Sequence, residues 1–157
     1  MICFTAEEIW KYMPHTKKEQ VESVMLSDWP EVVAEYDNKE LEEKWNHILE
    51  LKELVAKELE VARAQKVLGH SLNAKVTLFA NEEEYKFLEE NKELLTTIFI
   101  VSALEIKENE RKDENKIGVK VEVAEGEKCE RCWKYSTEVG ENHEHPTLCH
   151  RCAEAIS

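Results

Sequence analysis

Leu41, Trp45, Ile48, Val55, Leu59 and Ala62 recur at three- and four-residue spacing through a stretch otherwise dominated by Glu and Lys. That period predicts a long amphipathic helix running to about Lys66, its apolar face interrupted only by Lys52. Asp37-Asn38-Lys39-Glu40 offers a cap followed by an acidic residue, and Gly69 is placed to end the helix. Glu40 with Lys44 and Glu53 with Lys57 are spaced for ion pairs along a solvated face, each contributing about 0.2–0.5 kcal/mol. Past Gly69 the period falls to two: Val76, Leu78 and Ala80 alternate with Lys75, Thr77 and Phe79, which predicts a strand. Residues 82–95 return to helical spacing. Residues 97–106 (TIFIVSALEI) and 117–123 (IGVKVEV) are rich in β-branched side chains and predict two further strands. Between them, residues 107–116 hold four basic residues, four acidic residues and two asparagines, the composition of a solvated, mobile hairpin loop.

Upstream, Thr5-Ala6-Glu7-Glu8 has the form of a capping box and predicts a short helix to about Met13, closed by Pro14. Ile9, Trp10 and Tyr12 on this helix need apolar cover that nothing earlier in the chain supplies, so the chain reads as a fragment. Ser27-Asp28-Trp29-Pro30 is a turn-rich link. The expected fold is α+β: helices including one long amphipathic helix, a small antiparallel or mixed three-stranded sheet, and a C-terminal four-cysteine module. The expected parts are residues 1–36, 37–125 and 126–157.

With 157 residues, 42% hydrophobic and 35% charged, the chain can build one ordinary domain plus a small module. No apolar run approaches the ~20 residues needed to span a bilayer, and the first residues lack the basic and apolar regions of a signal peptide, so the expected location is the cytoplasm. There thiols stay reduced, and clustered cysteines serve metals more often than disulfides. A formal net charge of −13 makes the chain a poor non-specific nucleic-acid binder, so any RNA contact is local. Residues 126–157 hold four basic and six acidic residues, a net of −2, leaving −11 upstream.

Cys129-Glu130-Arg131-Cys132 and Cys149-His150-Arg151-Cys152 are separated by sixteen residues, the spacing of paired zinc knuckles. Two residues between thiolates let one tight turn present both sulfurs to one metal, and two such turns complete a tetrahedron. Four protein ligands leave no open position for water or substrate, so the expected Zn2+ is single and structural. A redox CxxC would stand alone in a βαβ context, and paired disulfides would need an oxidising compartment. Cys3, at an apolar helix start, is expected to be a packed hydrophobe, and His143, His145 and His150 are weaker rivals to the thiolates.

Zinc with four thiolates carries −2, which gives Lys128, Arg131, Lys134 and Arg151 an electrostatic reason to sit near it. The alternative is that these bases meet RNA phosphate. Trp133 and Tyr135 face a similar choice, between forming the module's core with Val139, Leu148 and Ile156 and stacking on unpaired bases. Candidate RNA-binding residues are therefore Arg131, Trp133, Lys134, Tyr135 and Arg151.

Phe4-Thr5-Ala6-Glu7-Glu8-Ile9-Trp10, Ser27-Asp28-Trp29-Pro30, the junction Ala64-Gln65-Lys66-Val67-Leu68-Gly69-His70-Ser71-Leu72-Asn73-Ala74-Lys75-Val76, and residues 126–135 with Cys149-His150-Arg151-Cys152 together resemble the C-terminal end of a bacterial-type isoleucyl-tRNA synthetase. The likeness covers nearly the whole chain, departing at His70, where that family commonly carries Lys. It implies that residues 1–36 end a helical anticodon-binding domain, and that the parent enzyme joins isoleucine to its tRNA using ATP. This part would then hold the anticodon arm, with tRNA and the rest of the synthetase as partners, and without membrane or DNA. The family's two ATP-site signatures, the HIGH and KMSKS types, are absent, so the fragment is expected to have no catalytic residue and no activity of its own. Two alternatives remain: a finger that only packs against its own enzyme, and a DNA-binding finger, which the acidic charge disfavours.

Overall fold

The structure is a computed structural model that describes residues 2–16, 21–108 and 117–156. It divides into two compact units between Lys39 and Glu40.

In the first unit, α1 (Cys3–Tyr12) begins two residues before the capping box predicted at Thr5. Ile2 occupies the cap position without a side-chain hydrogen bond, and its carbonyl accepts from Ala6 N at 2.9 Å, which places Thr5 inside the helix. Trp10 is buried: its Nε1 donates to Val21 O at 3.0 Å, and His15 lies against its ring with centroids 4.3 Å apart. Ser23 Oγ donates to Glu7 at 2.7 Å and ties the following loop to the helix. Cys3 is exposed, against the expectation that it packs, because α1 buries the face carrying Trp10 and leaves Phe4, Ile9 and Tyr12 in solvent as well.

The second unit is built on α2 (Lys39–Ala64), β1 (Ala74–Ala80), α3 (Glu82–Glu90), α4 (Lys92–Ile98), β2 (Ala103–Glu108) and β3 (Gly118–Val123). The sheet order is β2-β1-β3, with β2 parallel and β3 antiparallel to β1. The parallel β1–β2 pair requires a crossover, and α3 and α4 supply it. The β2 and β3 strands flank β1 and do not pair with each other; the loop expected at 107–116 falls, at residues 109–116, outside those described.

Ile48, Leu51, Val55, Leu59 and Ala62 of α2 close one core with Val76 and Leu78 of β1, Leu88, Leu95, and Leu104 and Ile106 of β2. The buried face of α2 starts at Ile48. Leu41 and Trp45, predicted on that face, are 49% and 39% exposed, and Leu51 joins it instead. The helix ends before Gly69: Lys66 takes the left-handed conformation (φ 60), Val67 N donates to Ala62 O and Lys66 N to Arg63 O, the double closure of a Schellman motif. Its ion pair within the helix is Glu60–Arg63 at 2.6 Å, and His47 faces Glu84 of α3 at 3.0 Å; Glu40–Lys44 and Glu53–Lys57 do not form.

Residues 97–106 also depart from the strand pattern. Thr97 and Ile98 finish α4, and the chain turns at Ile100, which is left-handed at φ 56, before β2 starts. Packing overrides β-propensity here: Leu88, Leu95 and Phe99 recur on a helical face that is fully or nearly fully buried. Thr96 and Thr97 donate their hydroxyls to the carbonyls four residues back, at 2.7 and 3.1 Å, which accommodates both in a helix.

Ile48→Ala, at a fully buried site, should lower the unfolding free energy by about 2–5 kcal/mol in urea titration. Leu49→Ala, next to it but 48% exposed, should cost far less.

Candidate metal centre

The finger opens with β4 (Glu127–Lys128), which pairs antiparallel with β5 (Tyr135–Ser136), and closes with α5 (His150–Glu154). Gly126 leads into it at φ 88, and a Cβ there would lie 2.3 Å from the Ser136 carbonyl carbon and oxygen, so only glycine fits.

The turn between β4 and β5 is the first knuckle. Cys129 N donates to Lys134 O and Trp133 N to Cys129 O, both at 2.9 Å, and Trp133 takes the left-handed conformation at φ 65 to complete the reversal. The second knuckle runs into α5: Cys149 is its N-cap, and Cys152 N and Ala153 N donate to Cys149 O at 2.9 and 3.0 Å. Glu130 N donates to Thr147 O at 3.1 Å and stitches the two turns together.

These turns bring the four sulfurs within 4.8 Å of one another. Tetrahedral zinc with Zn–S near ~2.3 Å has S···S edges of about 3.8 Å, and Cys132 Sγ and Cys149 Sγ are 3.8 Å apart. All four are free thiols; Cys129, Cys149 and Cys152 are buried and Cys132 is half-buried. His143, His145 and His150 stand outside the cluster, and His150 faces Glu154 at 3.5 Å. An all-sulfur tetrahedral donor set suits zinc.

The local electrostatics divide the thiols, holding two of them down and one up. Burial raises the Cys149 thiol to about 12. At Cys129 burial acts the same way but is outweighed by the backbone amides of Cys132, Cys149 and Arg131, which bring it down to about 6. Cys152 is likewise lowered against burial, chiefly by the Arg131 side chain. Arg151 is raised by its hydrogen bonds to Cys152 and then Cys132. Two arginines therefore converge on the sulfurs, as charge compensation requires.

Arg131 and Arg151 are nevertheless exposed overall, while Lys134 and Tyr135 are half-buried. Trp133 is 59% exposed, with Lys128 Nζ 4.7 Å from its ring centroid. The small core beside the sulfurs is Leu148 and Ala153 with Val139; Ile156, expected there, is 47% exposed. One contact went unforeseen. Ser102 Oγ accepts from Tyr135 N at 2.7 Å, joining the finger to the sheet, and its only sequence signal is a polar residue between apolar Val101 and Ala103.

Residues 126–155 match the family described as "Zinc finger found in FPG and IleRS", and residues 1–78 match "Anticodon-binding domain of tRNA ligase". The first 78 residues thus resemble an anticodon-binding domain of tRNA ligases, and residues 126–155 a zinc finger whose four-sulfur cluster is consistent with one structural zinc. The chain is 47% identical over 157 residues to the isoleucine–tRNA ligase of Caldicellulosiruptor saccharolyticus, covering 99% of this chain and 17% of that protein. It is 44% identical over 162 residues to the same ligase of Geobacter sulfurreducens, with 99% and 17% covered, and 45% over 165 residues to that of Syntrophomonas wolfei, with 100% and 18% covered. Over nearly its whole length, then, the chain is a homologue of the C-terminal region of isoleucine–tRNA ligases, and it spans 17–18% of the length of these relatives. Among the described residues no helix is long and apolar enough to cross a membrane.

Elemental analysis after dialysis should return one zinc per chain, and Cys152→Ser should bring it well below half an equivalent. Structural zinc contributes on the order of 10 kcal/mol to folding, so chelation should unfold the finger and leave the circular dichroism of α2 in place. Gly126→Ala should weaken zinc retention against a competing chelator, because the new methyl displaces β5.

Proposed function

We propose that this chain is the tRNA-contacting C-terminal portion of an isoleucine–tRNA ligase, and that its finger grips the anticodon arm of isoleucine-accepting tRNA. The single observation that carries this function is Trp133: a large aromatic ring, 59% exposed, held by a left-handed backbone at the rim of the metal centre and flanked by Lys128. A soluble module this small gains stability by burying such a ring, so its exposure favours a stacking surface for an unpaired base. Arg131 and Lys134 flank it within two residues in sequence and Arg151 sits in the second knuckle, while Tyr135 lies in β5 just beyond the turn.

In the parent enzyme the ligase would use ATP to join isoleucine to tRNA in the cytoplasm, with residues 1–36 ending the anticodon-binding helical domain, 37–125 forming the α+β part and 126–157 the finger. Cys129, Cys132, Cys149 and Cys152 would hold zinc as a purely structural ion. The chain would itself perform no catalytic step, and its acidity disfavours DNA. A second reading, a finger that only packs against its own protein, is favoured by Arg131 and Arg151 serving the sulfurs.

The isolated chain should bind tRNA weakly, with affinity falling steeply as salt rises, because few bases oppose a net charge of −13. In the full-length ligase, Trp133→Ala should cost roughly tenfold or more in kcat/KM for tRNA, since stacking on a base contributes ~1–3 kcal/mol, while isoleucine-dependent ATP–pyrophosphate exchange stays unchanged. Unaltered tRNA kinetics in zinc-loaded Trp133→Ala, Arg131→Ala and Lys134→Ala would transfer the finger to the packing role.

A further inference from the structure

Ser102, immediately before β2, meets the backbone of the first knuckle's exit strand through its side chain. Its hydroxyl has one proton, and that proton goes to Leu72 O at 2.5 Å. The oxygen is then free to accept, and it accepts Tyr135 N–H at 2.7 Å. Donor and acceptor are thus matched on both sides, with no surplus proton.

The hydroxyl is itself held in place. Ser102 N donates to Ala74 O at 3.0 Å, Val101 before it is fully buried, and Ala103 after it pairs with Lys75 of β1. On the finger's side, Tyr135 pairs with Lys128 across β4–β5, and Lys134 O receives Cys129 N. Only Lys134 separates Tyr135 from Trp133. The covalent path beside this contact is short as well: Ala124 N donates to Asn73 O at 2.7 Å, and the sterically confined Gly126 follows two residues later.

We infer that Ser102 is a positioning residue: its hydroxyl latches β5 to the entry of β1 and so fixes the orientation of the zinc finger, and of the Trp133 face, relative to the sheet. Zinc determines the finger's internal shape, whereas Ser102 determines how that shape is presented. The consequence for RNA rests on the tRNA reading above; the latch does not.

The test is amide hydrogen exchange on the whole zinc-loaded chain. In Ser102→Ala, Tyr135 N–H loses its acceptor and should exchange roughly tenfold faster or more, while Cys129 N–H, bonded within the knuckle, keeps its protection and zinc stays at one equivalent. Ser102→Thr retains the hydroxyl and should protect Tyr135 as the parent does. Unchanged exchange at Tyr135 in a folded Ser102→Ala variant would overturn the latch. If the alanine variant does not fold, Ser102→Thr decides: slow exchange at Tyr135 supports the hydroxyl's role, and fast exchange overturns it. In the full-length ligase, Ser102→Ala should raise KM for tRNA with ATP–pyrophosphate exchange unchanged. Fast Tyr135 exchange combined with unaltered tRNA kinetics would uphold the latch and refute the RNA reading alone.

Discussion

A strand with neighbours on both edges must satisfy two rows of backbone groups, and β1 is the only strand of the described three-stranded sheet that carries this requirement. It takes a parallel partner on one side and an antiparallel partner on the other, and the residues leading into it do further duty. The carbonyls of Leu72, Asn73 and Ala74 receive Ser102 Oγ, Ala124 N and Ser102 N. The start of β2, the exit from β3 and the seat of the finger are thereby set by three consecutive carbonyls. Burial follows the same centre, since Ala74, Val76 and Leu78 are wholly excluded from solvent and α2 lays its inner face over the core they share.

The metal centre obeys a different rule. Its apolar cluster is too small to hold the chain alone, so the knuckles are shaped by short backbone bonds, one left-handed tryptophan and one glycine with no space for a methyl group. Sulfur charge is then shared among amides and two arginines. Arginine suits this place because its planar, always-charged guanidinium stabilises thiolate charge while most of the side chain stays exposed.

Much of this was legible before any coordinates. The period-two run from Lys75 to Ala80, the β-branched run at 117–123 and the spacing of the four cysteines each depend on neighbours close in sequence, and each appears as a strand or a cluster within a residue of where expected. Failures came where distant residues decide. Thr97 and Ile98 were taken from the expected strand by helix packing through Leu95 and Phe99, and Lys66 ended α2 although Gly69 looked the better terminator. Thr5 lost its capping role because the helix could start earlier. No local pattern reveals that Ser102 meets Tyr135, thirty-three residues away.

Trp133 occupies a backbone region that L-residues with bulky side chains enter at a cost of roughly 1–2 kcal/mol. Glycine would relax that conformation, yet it would erase the ring. Selection for stability alone therefore pulls this position toward glycine, and selection for an aromatic surface pulls it back. A thermostabilised finger obtained without a demand for RNA contact would be expected to drift to glycine here, so the residue recovered at position 133 in such an experiment reports which pressure the module has been under.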